Sequence, residues 1–204
     1  MNKDILKMVL GLTIVSTLAA ISLALVYDMT KDKIAESKRQ EMLKAIKTVM
    51  PKEIENEPDT DAVVLVTGKN KKGSDIKTSF YRGRKAGEIV GVAFKTSTML
   101  GYTGLIEVMV GIDPNGSIIS IEILSHAETP GLGDYITKDW FKEKYQSKSL
   151  DNSVWLVKKD GGDFDQRTGA TISARAVTDA VKKGLDLFKL KKEEIFTMEA
   201  ASNE

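Results

Sequence analysis

The sequence predicts an α+β fold, with one apolar N-terminal helix ahead of a single mixed domain. Three observations carry that expectation. An uncharged run long enough to span a bilayer, about 20 residues, lies near the start. Short β-rich segments separated by glycines and charged turns follow from Ala62. Apolar residues then recur at helical spacing from Ile172 to Phe188.

The apolar run is "MVLGLTIVSTLAAISLALVY", Met8 to Tyr27. Its only polar side chains before Tyr27 are Thr13, Ser16, Thr17 and Ser22, whose hydroxyls bond back to their own helix, and Tyr27 sits where an interfacial aromatic belongs. Lys3, Lys7 and the small-residue stretch Ser22-Leu23-Ala24 also fit a cleaved signal peptide, but the apolar run continues past that stretch to full spanning length, which favours a retained anchor. Residues 1–7 then form a short flank and residues 8–27 the span. Lys3 and Lys7 lie at one end, and Lys31, Lys33, Lys38 and Arg39 near the other, so the positive-inside rule does not settle direction.

Residues 28–50 carry Ile34, Met42, Leu43, Ile46 and Val49 at three- and four-residue spacings and stop before Pro51, which predicts an amphipathic stalk helix continuing outward. The acidic, proline-interrupted stretch 51–61 reads as a linker. Strands are expected at 62–67, 78–83, 88–98, 105–113 and 117–125. The last two are joined by "DPNG", in which Pro114 presets φ and Asn115-Gly116 tolerate positive φ. A helix over "YITKDWFKEKYQ", a short strand at "VWLV" and a helix from Ile172 to about Phe188 complete a domain over 62–188. The polar stretch 189–204 reads as a frayed tail.

Composition removes several function classes. With no cysteine and one histidine, zinc fingers, thiolate clusters, iron–sulfur centres and Cys nucleophiles are excluded. Thirty basic and 29 acidic residues give a formal charge of +1, and aromatics are only 6%, so neither an electrostatic footprint nor a stacking surface for nucleic acid is present. Redox chemistry here requires a bound organic group.

Three stretches have the character of a site. In "DFDQRTGATISARAV", Gly169, Ala170 and Thr171 fall where a helix begins, and free N–H groups with the macrodipole favour a phosphate there. The plainer reading is that Thr168 or Thr171 is an N-cap. In "SHAETPGLGDYI", His126, Glu128, Thr129 and Leu132 sit among tight turns whose exposed backbone lets a planar ligand approach, although a structural histidine and a solvated glutamate are ordinary alternatives. In "TSTMLGYTGLIEV", Tyr102 lies between Gly101 and Gly104, as a ring platform or as strand packing. A hydrolase built on Ser125 or Ser173 with His126 finds no nucleophile-elbow pattern.

Together, "GYTG", "VGID", "HAETPGLGD", "GGDFDQRTGATISARAV" and the N-terminal apolar helix resemble the G subunits of Rnf electron-transport complexes, members of the FMN-binding domain family. The resemblance runs from the anchor to about Phe188. It implies FMN joined through its phosphate to the hydroxyl of Thr171 by a flavin transferase, with Asp165, Thr168, Gly169 and Ala170 completing the modification motif. It also implies that His126, Glu128, Thr129, Leu132, Tyr102 and Thr103 lie beside the flavin. The implied role is electron relay within a membrane complex that passes electrons between ferredoxin and NAD and moves Na⁺ or H⁺. The other membrane and peripheral subunits would be partners. The domain would lie on the outer side of the cytoplasmic membrane, anchored by a single span. Two alternatives remain open at this point: the NqrC-type component of the sodium-pumping NADH:quinone reductase, and a membrane-tethered scaffold without redox function.

Overall fold

The computed structural model describes residues 3–69 and 72–200. Residues 1 and 2 of the expected N-terminal flank lie outside that range. Helix α1 runs unbroken from Lys3 to Val49. Its apolar part is long and apolar enough to cross a membrane, and none of it is buried in the protein. Thr13 and Thr17 return their hydroxyls to the carbonyls of Val9 and Thr13, both at 2.8 Å, which removes two polar groups from the apolar surface. The chain divides into two compact units, residues 1–41 and 42–204.

Within the second unit, five strands form an antiparallel sheet in the order of the chain: β1 (Ala62–Lys69), β2 (Asp75–Lys85), β3 (Glu88–Gly101), β4 (Gly104–Ile112) and β5 (Ile118–His126). Alternation splits the side chains between two faces. Phe80, Val92, Phe94, Ile106, Val108 and Val110 pack with Val177, Val181, Leu185 and Phe188 of the last helix, α3, which runs from Thr171 to Thr197. On the other face Ala93 and Met109 receive Ala45, Ile46, Val49 and Met50 from the last turns of α1 and the residue after it. The β4–β5 turn closes as expected, but only Gly116 takes positive φ, at 90°. Asp113 stabilises the turn by accepting the N–H groups of Asn115 and Ser117 on Oδ1, at 2.8 and 2.9 Å.

Three expectations are corrected. The helix over residues 135–146 is instead a 3₁₀ turn (Gly133–Thr137), a short helix α2 (Asp139–Lys142) and a second 3₁₀ turn (Glu143–Tyr145), with Lys138 extended at φ −77°, ψ 144°. In one continuous helix Ile136 and Tyr145 would point roughly 180° apart; the break lets both enter the core with Tyr135 and Phe141. "VWLV" alternates inward and outward like a strand, with Trp155 and Val157 buried, yet its pairing is a single parallel bridge from Val157 to Phe164. The chain loops back on itself there through the close approach of Gly162 to the Leu156 backbone. Finally, the frayed tail is helical to Thr197, and Ile195 is fully buried; residues 201–204 of that tail lie outside the described range.

The reason for the last difference is Arg82. Only 2% exposed, it pairs with Asp61 and donates through Nη1 to the carbonyls of Ile195 (3.2 Å) and Met198 (2.7 Å). The unpaired carbonyls at the end of α3 thus meet a buried guanidinium, which holds the last turns in place.

Candidate functional site

The three motif stretches, far apart in the chain, meet at the N-terminal end of α3. Tyr102 comes from the β3–β4 turn, Glu128, Thr129, Leu132 and Gly133 from the loop after β5, and Gly169, Ala170, Ile172 and Ser173 from the start of α3; these residues line a cleft of about 370 Å³. That lies within the roughly 300–1,000 Å³ typical of small-ligand sites. Tyr102, Leu132 and Ile172 are exposed, at 69, 52 and 44%, and supply apolar and aromatic surface at the mouth.

Local sequence explains the shape of each wall. Pro130 and Gly131 form a turn in which Gly131 holds φ at +75° and the carbonyl of Thr129 accepts the N–H groups of Leu132 and Gly133, both at 3.1 Å. Gly169 holds φ at +84°, which reverses the chain just before α3. Tyr135 fastens this reversal to the other loop: its hydroxyl donates to the carbonyl of Ala170 (3.0 Å) and accepts the N–H of Arg167 (3.3 Å). Burial raises the pKa of that phenol above its ordinary value, although the Arg167 N–H opposes the shift.

Thr171 is the first residue of α3 and 9% exposed. The cap position is Ala170, and no side chain caps the helix, so neither Thr168 nor Thr171 serves as the N-cap that the plainer reading requires. Among the described residues the Thr171 hydroxyl makes no hydrogen bond. A helix of 27 residues therefore begins with unpaired backbone N–H groups beside an uncommitted hydroxyl.

Glu128 is 4% exposed. Its Oε1 accepts the backbone N–H and the hydroxyl of Thr103, both at 3.2 Å, and its Oε2 accepts the hydroxyl of Ser173 at 2.5 Å. His126 hydrogen-bonds to the main chain of Glu128: Nδ1 accepts the Glu128 N–H at 3.1 Å, and the ring is not part of the wall of this cleft. Ser173 thus pairs with Glu128 and not with His126. Thr168 lies on a neighbouring cleft with Lys138, Trp140 and Arg167. Asp165 is turned away into ion pairs with Lys158 (2.5 Å) and Lys144 (3.4 Å), and the Lys158 hydrogen bond, outweighing partial burial, holds its carboxyl below the usual carboxylate range.

Sequence reasoning missed Ser173 as the partner of Glu128, Gly133 and Ile172 as cleft walls, and Tyr135 as the fastener. Gly133 and Tyr135 end the "HAETPGLGDYI" stretch and Ile172 and Ser173 follow Thr171 directly, so position in the motifs was the available signal.

Comparison with known proteins places the domain and its anchor in known families. The model of the FMN-binding domain matches residues 101–186, which contain two of the stretches and the third from Gly101 onward, and the model of the RnfG N-terminal region matches residues 1–49. The fold is thus that of an FMN-binding domain carried behind an N-terminal apolar helix. The G subunit of the ion-translocating oxidoreductase complex from Shewanella amazonensis is 39% identical, over 91% of this chain and 88% of its own length. Its counterpart from Aliivibrio fischeri is 36% identical, over 94% and 93%. The chain belongs to this RnfG family. Among solved structures, Shewanella oneidensis NqrC shares the fold with a TM-score of 0.60 at 16% identity, covering 78% of this chain and 98% of that one. The corresponding component of the Na⁺-translocating NADH-quinone reductase from Parabacteroides distasonis does so at 0.56 and 16%, covering 84% and 98%.

Proposed function

We propose that this chain is the flavin-carrying relay of an ion-translocating ferredoxin:NAD⁺ oxidoreductase complex, with FMN joined by a phosphoester to Thr171. Membership of the RnfG family and the match to the FMN-binding domain support the complex and the cofactor. The likeness to the NqrC structures is one of fold, at 16% identity. The attachment rests on one observation: the uncommitted Thr171 hydroxyl at the start of α3, beside a cleft shared by the three motif stretches.

Each residue has a definable part. The unpaired N–H groups of the first turn of α3 stabilise the single negative charge of the phosphodiester that joins FMN to Thr171. Gly169 keeps the approach to Thr171 free of side chain, and Tyr135 keeps the 167–170 loop from moving away. Tyr102, Leu132 and Ile172 exclude water from the planar face of a ring system lodged in the cleft. FMN, when bound, supplies one- and two-electron transfer, while the protein sets its position and surroundings. The apolar part of α1 anchors the chain in the cytoplasmic membrane, with the domain on the outer side, where covalent attachment prevents loss of a cofactor that could not readily be replaced. A flavin transferase installs it.

Full-length protein made together with a flavin transferase should fluoresce on a denaturing gel and gain the mass of FMN less one water. Thr171→Ala should abolish both signals while leaving the denaturation midpoint nearly unchanged. An unmodified Thr171 peptide from active complex would overturn the attachment.

A further inference from the structure

The carboxylate of Glu128 is flanked by two glycines. A Cβ on Gly133 would stand 2.5 Å from Oε2, and one on Gly101 would stand 2.7 Å from Oε1 after meeting the Gly104 carbonyl first. Gly133 thus accepts only hydrogen while Glu128 keeps its place. Its hydrogen-bond partners, the Thr103 N–H, the Thr103 hydroxyl and the Ser173 hydroxyl, all donate, as the ionised form requires. Among the described residues no lysine, arginine or histidine forms an ion pair with it. Two basic groups of the site region, Lys138 and Arg167, line the neighbouring cleft instead. Burial raises the Tyr135 phenol, two backbone hydrogen bonds oppose the rise, and the charge of Glu128 adds to it more weakly.

From this placement we infer that Glu128 is a tuning residue, a fixed anion in the cleft wall that lowers the reduction potential of the flavin held there. The inference rests on the proposed function and adds a role for one side chain to it. Two-electron reduction of the flavin with uptake of one proton adds one net negative charge to the cleft. The electrons come from the donor side of the oxidoreductase complex and the proton from solvent. A neighbouring buried anion opposes that added charge, and low local polarity strengthens the opposition. The three donors offset part of the carboxylate's charge, so they act in the reverse sense. Such an arrangement suits a relay that must hand electrons onward readily.

The sign of each substitution separates tuning from mere support. In full-length holoprotein, Glu128→Gln keeps the shape of the side chain and removes the charge. It should raise the flavin midpoint in a spectroelectrochemical titration, with at least a tenfold rise in the reduced-to-oxidised ratio at a fixed potential, about 30 mV for a two-electron couple. Ser173→Ala and Thr103→Val retain the charge and strip donors from it, and should move the midpoint the opposite way. Glu128→Asp should stay nearer wild type than Glu128→Gln. If Glu128→Gln does not take up flavin, the direction of the Ser173→Ala and Thr103→Val shifts decides. Flavinylated variants with wild-type midpoints, or donor-stripping variants that move upward, overturn the tuning role alone. A wild-type chain that carries no flavin overturns the proposed function, and the tuning role with it.

Discussion

The two ends of α3 treat polar groups in contrasting ways. At the C-terminal end, Arg82 is buried and its donors are taken up by Asp61 and by the carbonyls of Ile195 and Met198, while Arg84 shares the same carboxylate at 2.5 Å. At the N-terminal end, the hydroxyl of Thr171 has no partner among the described residues, the cap position carries no side-chain bond, and a carboxylate lines an open cleft. One end of the helix is closed by mutual satisfaction and the other is left unsatisfied. Burial of charge alone therefore does not mark a site. What marks it is an uncommitted polar group next to the wall of a cleft.

Breaking the closed end should have the largest effect on stability. Arg82→Met leaves the carbonyls of Ile195 and Met198 without their donor and Asp61 with Arg84 alone, and should cost about 3 kcal/mol, read as a lower urea midpoint by tryptophan fluorescence of the full chain. Covalent flavin should be retained. Thr171→Ala is the converse, with flavin lost and stability kept, so the pair together tests whether the two ends are independent. Next in size is Gly133→Ala, whose added methyl meets both the Glu128 carboxylate and the Ser173 hydroxyl. We expect a loss of about 1–2 kcal/mol by the same measurement and reduced flavin loading. Normal loading and stability would mean that the Glu128 loop yields easily.

The smallest effect belongs to Asp165. Its folded pKa is lowered, chiefly by Lys158, so its contribution is fully present above the ordinary carboxyl pKa near 4 and is lost as pH falls from there through the lowered folded value. Because Lys158 and Lys144 are more than half exposed, that contribution is at most about 1 kcal/mol. Asp165→Asn should flatten the acid limb of stability, from roughly pH 5 downward, by about that much, and change nothing at neutral pH beyond it.

The parts legible in the sequence were those in which one periodicity governs a whole segment. The five strands and the start of α3 fall where alternation and helical spacing place them, within a few residues. Meeting of the three motif stretches was legible through resemblance, not through periodicity. The misread parts are those where a distant partner decides. Residues 135–146 have helical composition, but the core needs Ile136 and Tyr145 on the same side, and the backbone breaks at Lys138 to provide it. "VWLV" has strand composition and no neighbouring strand to complete a ladder. Ser173 was weighed only as a partner of His126, because its carboxylate partner is 45 residues away.

The stretch after Phe188 was opaque for a reason that carries its own lesson. Arg82 grips the main-chain oxygens of Ile195 and Met198, atoms every amino acid possesses. Recognition of that kind is indifferent to spelling: beside Ile195 and Phe196, whose side chains pack against the interior, it reaches the closing turn through main-chain atoms alone. A stretch of chain is thereby held firmly without any word in it that a reader of letters would underline.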